Sequence, residues 1–506
     1  MIDLIVDAPI VADACSDDAA NLTKFLDSRR NINNRNWVYI GQKLEIFELL
    51  LGKTELTVVQ KPKLIDSKKL IVFDQLFLWL AAIAEDGATL HELDPDTSAL
   101  VKAANRLGKE ARILTTNKMR LEIGLPFVDV KDVMKRRVTE TSIPLIDLKV
   151  QQDQIRPNLE RSIHAVLHHG QYVNGPEISK LESVLADFVG VKHCVCVSSG
   201  TDALLISLLS LGIGRGDEVV TTAFSFIGTA EAILLAGATP VFVDVDIRTG
   251  NMDVDQLEAR ITHRTRAILP VSLYGQTANL TKINEIARIR RLPVIEDGAQ
   301  SFGAYHNHIR SCGATTIGCT SFFPAKSLGA YGDAGACFTN DASLAEAMQE
   351  VLNHGQKERY EHARIGLNGR MDSLQAAVLL AKLDVFDREL EFRQRVADYY
   401  SESMNHLEKE NKLQLPFIEH GNCSAWTQYT IQITDRDHVK DSLAELGVPT
   451  SVHYPKSLPD QAALSEFHGV FPNSEKLANN VLSLPMHPYL RKAEQKRIVE
   501  NIFSVL

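Results

Sequence analysis

Short apolar runs of strand length recur along the chain and alternate with longer segments of helical periodicity. The runs CVCVSS, EVVTT, TPVFVDV, RAILPVSL and LPVIED follow one another in this way. Runs that are apolar throughout, with no alternation of polar residues, are typical of parallel strands whose two faces are both covered. The pattern therefore predicts an α/β domain with a largely parallel sheet between layers of helices.

Changes in this pattern divide the chain into regions. Residues 1–128 alternate short strand-like runs with helical stretches, which predicts a separate small α/β domain. Residues 129–142, DVKDVMKRRVTETS, are polar and charged and are predicted to be a linker. The apolar runs described above fall in a large domain over residues 143–384. Residues 385–506 carry charged helices with a few strands, which predicts a small C-terminal α/β subdomain.

Composition and charge limit the class of protein. A chain of 506 residues is too long for a single hydrophobic core, so more than one domain is expected. A hydrophobic content of 45% with 23% charged residues is typical of a folded, soluble protein. The net charge of -10 argues against a general nucleic-acid-binding protein. Seven cysteines without a C-x-x-C pair indicate a reducing compartment. The apolar run at 70–84 is too short to span a bilayer, and the start lacks a basic region, so we expect a cytoplasmic protein without a membrane partner.

One lysine occupies an unusual setting. The stretch TSFFPAKSLGAYGDAG, residues 320–335, places Lys326 among aromatic, small and glycine residues, although lysine usually belongs on a solvated surface. Burial could neutralise this amine for use as a nucleophile, or the side chain could extend from a half-buried strand to solvent. The local sequence leaves both interpretations open.

Two strand ends carry residues that suit a phosphorylated, cationic ligand. VSSGTDAL, residues 197–204, places Gly200 at the start of a helix, where backbone N–H groups could bind a phosphate or the helix could simply be capped. LPVIEDGAQSFGA, residues 292–304, delivers Glu296 and Asp297 at the carboxyl end of a strand, where ligands bind in open α/β sheets. A carboxylate there could hold a pyridinium nitrogen protonated or cap a helix.

Two further stretches are ambiguous when taken alone. TTAFSFIGTAEA, residues 221–232, places aromatic side chains at another strand end, where a ring could stack on a flat cofactor or pack in the core. RIGLNGRMDSLQAA, residues 364–377, is a polar loop with Asn368 and Arg370 that leads into a helix. We expect no metal site, because the histidine pair of HAVLH, residues 164–168, lacks an adjacent glutamate.

Taken in this order, the stretches resemble the fold-type I enzymes that depend on pyridoxal 5′-phosphate (PLP), and among them the DegT/DnrJ/EryC1/StrS family of nucleotide-sugar aminotransferases. The resemblance covers about 360 residues, from IPLIDL at 143 to the C-terminus. Its motifs are QYVNGPEISKLE, SSGTDAL, FSFIGTAEAILLAGATPVFVDVD, LYGQ, VIEDGAQSFGA, SFFPAKSLGAYGDAG and SVHYPKSL. The stretch HGQKERYEHARIGLNGRMDSLQAAVLLAKLDVF is especially similar to aminotransferases acting on UDP-2-acetamido-2-deoxy-3-oxo-glucuronate. The resemblance implies a large, mostly parallel sheet domain and a small C-terminal subdomain, preceded here by the separate N-terminal domain.

The resemblance also implies roles for individual residues. Lys326 would hold PLP as a Schiff base, and its apolar surroundings would favour the neutral amine that this requires. Asp297 would pair with the pyridinium nitrogen, Gln300 would contact the ring hydroxyl, and Phe226 would stack on the ring. The phosphate would be bound by Gly200, Thr201 and Ser321.

Other implied residues involve the substrate and a second subunit. Asn368 and Arg370 match a loop that this family lends to the neighbouring subunit's active site, Asn368 toward the cofactor and Arg370 toward the substrate. A homodimer with shared active sites is therefore expected. His453 and Tyr454 match a segment on the substrate side.

The implied reaction is a ping-pong transamination, for cell-surface polysaccharide or amino-sugar biosynthesis, in which glutamate supplies an amino group to a keto group of a nucleotide-linked sugar, with UDP-3-keto sugars as the expected class. One alternative is the family's dehydratase branch, which typically has histidine at the position of Lys326. Another is a PLP-binding regulatory protein whose first domain is a partner module. The sequence leaves the nucleotide base, the sugar and the aminated carbon open.

The N-terminal region resembles a PIN-like nuclease domain in part. Asp7, Glu45 and Asp96 fall near its acidic, metal-binding positions, but Asn117 stands where a further acid is common. This region also has no excess of basic residues for RNA. We therefore expect a degenerate or purely structural domain rather than an active nuclease.

Overall fold

The computed structural model describes residues 143–506 and, before them, two short strands. These strands, β1 (Trp37–Tyr39) and β2 (Leu56–Val58), pair in parallel. The chain divides into two compact units, Met1–Glu140 and Thr141–Leu506. The finer boundaries predicted from the sequence remain predictions. The acidic positions of the PIN-like resemblance, Asp7, Glu45 and Asp96, lie outside the described residues, as does Asn117.

The second unit contains the remaining strands and the described helices. The strands are β3 (His193–Val197), β4 (Glu218–Thr222), β5 (Thr239–Val243), β6 (Thr265–Leu269), β7 (Ile295–Asp297), β8 (Tyr305–His306), β9 (Ile309–Arg310), β10 (Ile317–Ser321), β11 (Gly335–Thr339), β12 (Gln356–Glu358), β13 (Glu361–His362), β14 (Leu413–Gln414), β15 (Asn422–Cys423), β16 (Tyr429–Ile433) and β17 (Val481–Leu484). The helices are α1 (Leu148–His169), α2 (Pro176–Val189), α3 (Gly200–Ser210), α4 (Gly228–Leu235), α5 (Val254–Arg260), α6 (Leu280–Arg290), α7 (Ala342–Leu352), α8 (Ser373–Lys409), α9 (Arg436–Glu445), α10 (Pro472–Asn480) and α11 (Lys492–Val505), with a 3₁₀ helix at Ala462–Phe467. Among these, no helix has the combination of length and apolar character that a membrane crossing needs.

The central sheet has seven strands in the order β3-β11-β10-β7-β6-β4-β5. Backbone bridges from Ile268 to Val294 and from Val271 to Asp297 join its two halves between β6 and β7. Every strand is parallel to the others except β11, which is antiparallel to β10 and β3. A parallel return would need a crossover connection, usually through a helix, whereas β10 and β11 are joined only by the loop at 322–334. The largely parallel sheet is confirmed, and its antiparallel strand follows the loop that carries Lys326.

Burial explains why the strands of this sheet read as continuous apolar runs. All residues of β4 are buried, and so are those of β11. Helices α3 and α7 pack with β3, β10 and β11 in one apolar cluster. The parallel strands place their carboxyl ends at the same edge, which is where an open α/β sheet binds its ligands.

The C-terminal part is built on a small antiparallel sheet, β14-β16-β17. Its core contains Tyr400 from the second half of α8, Tyr429 from β16 and apolar residues of α9 and α11. Helix α8 spans 37 residues and belongs to the cores of both parts. The boundary predicted between residues 384 and 385 falls inside this helix.

A histidine is buried beside this C-terminal core. His487 is 2% exposed, and neither of its ring nitrogens has a hydrogen-bond partner within residues 143–506. Burial, and then the positive charge of Arg393, lowers the pKa of His487 to about 4, while Asp147 and Glu494 act weakly in the opposite direction. Because the folded protein binds this proton less readily than the unfolded chain does, protonation favours unfolding. The contribution of His487 to stability is therefore present above its ordinary pKa of 6.5 and is lost as the pH falls toward 4.

We expect His487→Leu to flatten the dependence of stability on pH between 6.5 and 4. The pKa difference corresponds to a loss of up to roughly 3 kcal/mol on acidification, which the variant would not show. Urea unfolding followed by circular dichroism at both pH values, with the variant compared with wild type, measures this. His263→Leu, at an exposed histidine, is the control and should keep the wild-type dependence. An equally steep loss in His487→Leu would contradict the assignment.

Candidate active site

A cavity of about 550 Å³ opens at the carboxyl edge of the central sheet. Its walls come from the segments that follow β3, β4, β7 and β10, and from the C-terminal part, including Thr427 and Gln428. The sequence-predicted residues that line it are Gly200, Thr201, Phe226, Asp297, Gln300, Ser321, Lys326, His453 and Tyr454. The structure thus brings together residues that are distributed over more than 250 positions of the chain.

Asp297 is a buried carboxylate at the end of β7. The Thr229 hydroxyl donates to its Oδ2 at 2.8 Å, and the backbone N–H of Ala299 donates to its Oδ1 at 3.2 Å. Burial raises the pKa of Asp297, and these hydrogen bonds and the positive charge of Lys326 oppose the rise. A cationic group placed beside Asp297 would therefore stabilise its ionised form.

The neighbouring acid, Glu296, points away from the cavity. Its carboxylate accepts from the hydroxyls of Ser272 at 2.7 Å and Ser311 at 2.9 Å, and from the backbone N–H of Cys312 at 2.8 Å. Successive side chains of a strand face opposite sides of the sheet, so only one of the two acids can serve the site. Glu296 instead fastens the segment around Cys312 to the end of β7.

Lys326 lies half-buried in the cavity wall, on the loop between β10 and β11. Its backbone N–H donates to the carbonyl of Phe323 at 2.9 Å. Burial lowers the pKa of Lys326, and the charge of Asp297 opposes the change. An amine with a lowered pKa is neutral in a larger fraction of molecules at pH 7 and is then a nucleophile or a base. The geometry thus favours the buried-amine interpretation over a lysine that extends into solvent.

The start of α3 lies against Ser321 on the cavity wall. Ser199 caps the helix by accepting from the N–H of Asp202 at 3.0 Å, and Gly200 and Thr201 follow in its first turn. A Cβ atom on Gly200 would lie 2.6 Å from the Cβ of Ser321, so only glycine allows this approach. The first-turn N–H groups have no carbonyl partner within the helix, and with the helix dipole and nearby hydroxyls they suit a phosphate.

Gln300 connects two tyrosines beside this cavity. Its Oε1 accepts from the backbone N–H of Tyr274 at 2.9 Å, and its Nε2 donates to the hydroxyl of Tyr454 at 2.8 Å. The Tyr274 hydroxyl in turn donates to the carbonyl of His453. Burial, and then the charge of Lys326, lowers the pKa of His453 to about 4, so this ring is neutral at pH 7. The network links the segment after β7 to the C-terminal part across the cavity.

Phe226 leaves a large aromatic surface uncovered inside the cavity. Phe226 is 54% exposed, and its ring centroid lies 6.1 Å from that of Tyr454 in a tilted arrangement. An aromatic face left free at a cavity wall offers a stacking surface for a planar ligand.

Asn368 and Arg370 do not join the cavity of their own chain. Asn368 is exposed and bridges Asn353 through the backbone, and Arg370 donates to the Asn353 Oδ1 at 2.5 Å. The backbone of Arg370 also bridges Val197 at the end of β3. Their predicted contribution to a cofactor or substrate site therefore requires a second subunit.

Two residues of the site were not identified from the sequence. Thr229, which binds Asp297, lies in the stretch TTAFSFIGTAEA, and Tyr274, which binds Gln300, lies in the motif LYGQ. Both stretches were recognised as part of the resemblance without a role for these side chains. Their partners are 68 and 26 positions away in the chain, so local patterns do not show the contacts.

Comparison with known proteins decides the family. Residues 153–503 match the DegT/DnrJ/EryC1/StrS aminotransferase family. The chain belongs to this family.

Similar family members include two curated enzymes. The chain is 51% identical over 356 residues to the UDP-2-acetamido-2-deoxy-3-oxo-D-glucuronate aminotransferase of Pseudomonas aeruginosa, covering 70% of this chain and 98% of that enzyme. It is 41% identical over 369 residues to a UDP-N-acetyl-3-dehydro-alpha-D-glucosamine 3-aminotransferase of Acidithiobacillus ferrooxidans, covering 72% of this chain and 98% of that enzyme. The prediction of an aminotransferase is confirmed.

A solved structure of the family supports the fold and the cofactor. A Bacillus subtilis protein with bound PMP, the amino form of the cofactor, matches with a TM-score of 0.67 at 31% identity, covering 72% of this chain and 85% of that chain. The predicted fold type I and the predicted PLP cofactor are confirmed. The residues present fit the cofactor: the α3 start and Ser321 suit its phosphate, Asp297 its ring nitrogen, and Lys326 its aldehyde.

We expect Gly200→Ala to weaken cofactor binding at least about tenfold, because the added methyl group would collide with Ser321 in the phosphate-binding cradle. Titration of the cofactor-free protein with PLP, followed by absorbance, measures the affinity. Gly214→Ala is the matched control, since a Cβ there would meet nothing closer than 3.6 Å. An unchanged affinity for PLP in a folded Gly200→Ala protein would contradict the assignment of the phosphate to this site.

Proposed function

We propose that the protein transfers an amino group from glutamate to the keto group of a nucleotide-linked 3-keto sugar, with UDP as the nucleotide. The observation that carries the proposal is the presence of a half-buried amine with a lowered pKa, Lys326, and a buried carboxylate, Asp297, in one cavity of an aminotransferase fold. The nucleotide and the 3-keto position are supported by the names of the two similar enzymes described above, both of which specify UDP-linked 3-oxo or 3-dehydro sugars.

The side chains divide the work according to their environments. Bound PLP supplies an electron sink that stabilises negative charge on the carbon attached to the amino nitrogen. Asp297, held by the Thr229 hydroxyl, would keep the ring nitrogen of the cofactor protonated. In its neutral form the Lys326 amine would accept the proton from the donor's Cα and pass it to the C4′ carbon of the cofactor, and in the second half it would move a proton from C4′ to the sugar carbon that carried the keto group. His453, neutral at pH 7, can donate or accept a hydrogen bond on the sugar side without adding charge.

Two other functions are less well supported. The family's dehydratase branch typically carries histidine in place of Lys326, and this chain has lysine. A regulatory protein that only binds PLP would not need a base and a carboxylate in one cavity, and here Lys326 and Asp297 both line it, with Asp297 bound by the Thr229 hydroxyl. Transamination is therefore the function that the site favours.

A homodimer with shared active sites completes the proposal. Asn368 and Arg370 lie outside their own chain's cavity, so they are available to a neighbour. The segment that leads from them into α8 pairs with Tyr172 and Val173, whose residues are about half exposed. Exposed apolar side chains next to polar loop residues are typical of a subunit interface.

We further propose that the enzyme works in the cytoplasm, in the synthesis of amino sugars for cell-surface polysaccharide. The six cysteines of residues 143–506 are all free, and five of them are buried, which agrees with a reducing compartment. Nucleotide-linked sugars of the class named above are the expected substrates.

Glutamate and a panel of nucleotide-linked keto sugars, incubated with the purified protein and analysed by mass spectrometry, test the function. We expect amination of a UDP-linked 3-keto sugar, and a loss of at least about a thousandfold in Lys326→Ala, because the nucleophile and base are removed together. Lys282→Ala, at an exposed lysine, should keep wild-type activity. The proposal fails if wild type aminates no keto sugar while Lys326 still binds PLP.

Mixing inactive variants tests the shared sites. We expect Lys326→Ala and Arg370→Ala homodimers to be inactive, and an equal, fully exchanged mixture to recover about a quarter of wild-type activity, since half of the dimers would contain one intact site. Lys326→Ala mixed with Asp297→Asn is the control and should recover nothing, because both residues belong to the same chain's site. No recovery in the first mixture, with subunit exchange demonstrated by mass spectrometry, would exclude Arg370 from the neighbour's site.

A further inference from the structure

A second lysine is buried close to the loop that carries Lys326. Lys382, on α8, is 1% exposed, and no carboxylate forms an ion pair with it in the part of the chain that the structure describes. Its Nζ donates to the carbonyl of Gly329 at 2.6 Å and lies 4.3 Å from the centroid of the Tyr331 ring. Burying an ammonium group without a carboxylate in direct contact is unfavourable, and an apolar side chain of similar length would avoid that penalty. Stability alone therefore does not explain why Lys382 contacts the carbonyl of Gly329.

The carbonyl that Lys382 binds belongs to a tightly closed loop. The N–H of Ala330 donates to the carbonyl of Phe322 at 2.7 Å, and that of Lys326 donates to the carbonyl of Phe323 at 2.9 Å. A Cβ on Gly329 would lie 2.5 Å from the carbonyl oxygen of Pro324, so the two arms of the loop touch. A displacement of Gly329 would thus be passed directly to the turn that holds Lys326.

A second side chain of α8 fastens the same loop. The Oε1 of Gln375 accepts from the backbone N–H of Tyr331 at 2.9 Å, and a Cβ on Gly332 would lie 3.0 Å from the Gln375 Nε2. Gln375 and Lys382 are seven residues apart, which places them on the same face of the helix, two turns from each other. The two side chains hold positions 329 and 331 from one rigid element.

The charged groups that act on Lys382 and on the adjoining Tyr331 do not line the cavity. Glu389 on the same helix acts on Lys382, and Asp153 and Arg156 of α1 act on Tyr331. Burial lowers the pKa of Lys382 to about 8, and Glu389 opposes this. The pKa of Lys326 responds to its burial and to Asp297. The effect of Lys382 on Lys326 is therefore carried by the backbone rather than by charge.

We propose that Lys382 and Gln375 are positioning residues that clamp the 322–334 loop onto α8 and so hold the Lys326 amine at the cavity wall near Asp297. The inference rests on the proposed role of Lys326 as the residue that bonds the cofactor.

The test separates the placement of Lys326 from the rest of the site. PMP does not bond to Lys326, so its affinity reports on the phosphate cradle and the ring contacts, whereas PLP fixed by borohydride to the Lys326 peptide reports on the amine. In Lys382→Met we expect the PMP affinity to stay within about twofold of wild type and the rate of PLP attachment to fall at least about tenfold. In the cofactor-free protein, the pH profile of Lys326 acylation should move to higher pH, because a loosened loop admits water. Lys382→Arg, which keeps a cationic donor, should restore much of the attachment rate.

Tyr400→Phe is the matched control, because it also removes a buried hydrogen bond from α8 to a carbonyl, that of Pro485 at 3.0 Å, without touching the loop. It should melt at a lower temperature but attach PLP at the wild-type rate. Gln375→Leu should change PLP attachment in the same direction as Lys382→Met, and it decides the question if Lys382→Met does not fold. The inference is overturned if folded Lys382→Met or Gln375→Leu attaches PLP at the wild-type rate, if PMP and PLP binding fall together in them, or if Tyr400→Phe slows attachment as much as Lys382→Met does. Failure of the wild-type protein to attach PLP to Lys326 would instead overturn the proposed function.

Discussion

The site depends on the mutual support of two groups that burial disfavours. Burial raises the pKa of Asp297 and lowers that of Lys326, and in each case the charge of the other group opposes the change. Both can approach one cavity only because β7 and the β10–β11 loop end at the same edge of a parallel sheet. The hydrogen bond from Thr229 to Asp297 and the contacts between α8 and the loop keep this pair in place.

The parts of the fold that the sequence predicts are those governed by local patterns. Continuous apolar runs predict parallel strands, and the acidic pair at 296–297 predicts a strand end at the ligand-binding edge. Which acid faces the cavity depends on the phase of the strand within the sheet, and the local pattern does not define it, because the residues before the acids, Pro293 to Ile295, are apolar at successive positions. Only the family resemblance pointed to Asp297. The structure assigns Asp297 to the cavity and Glu296 to Ser272 and Ser311.

Helix α8 illustrates what local patterns miss. The segment after residue 384 is rich in charge, which predicted a change of domain, yet the helix continues to Lys409 because its second half buries Tyr400 in the C-terminal core. Lys382, Glu389 and Arg393 also lie on its buried face, where a sequence pattern would expect apolar residues. Their partners are carbonyls and side chains from distant segments, so only the assembled fold shows why charged residues occur there.

The orientation of Gln300 shows how the C-terminal part defines the chemistry offered by the large domain. A backbone N–H of Tyr274 can only donate, so the group it contacts must be the amide oxygen, and the amide nitrogen must face Tyr454. That nitrogen carries two hydrogens, and Tyr454 takes one of them. The second hydrogen of this amide nitrogen can only be donated. It therefore favours an oxygen that carries negative charge, such as the deprotonated ring hydroxyl of the cofactor, over a neutral hydroxyl that must itself donate. The contact predicted between Gln300 and the ring oxygen is therefore selective for one protonation state, and the selectivity originates in Tyr274 and Tyr454.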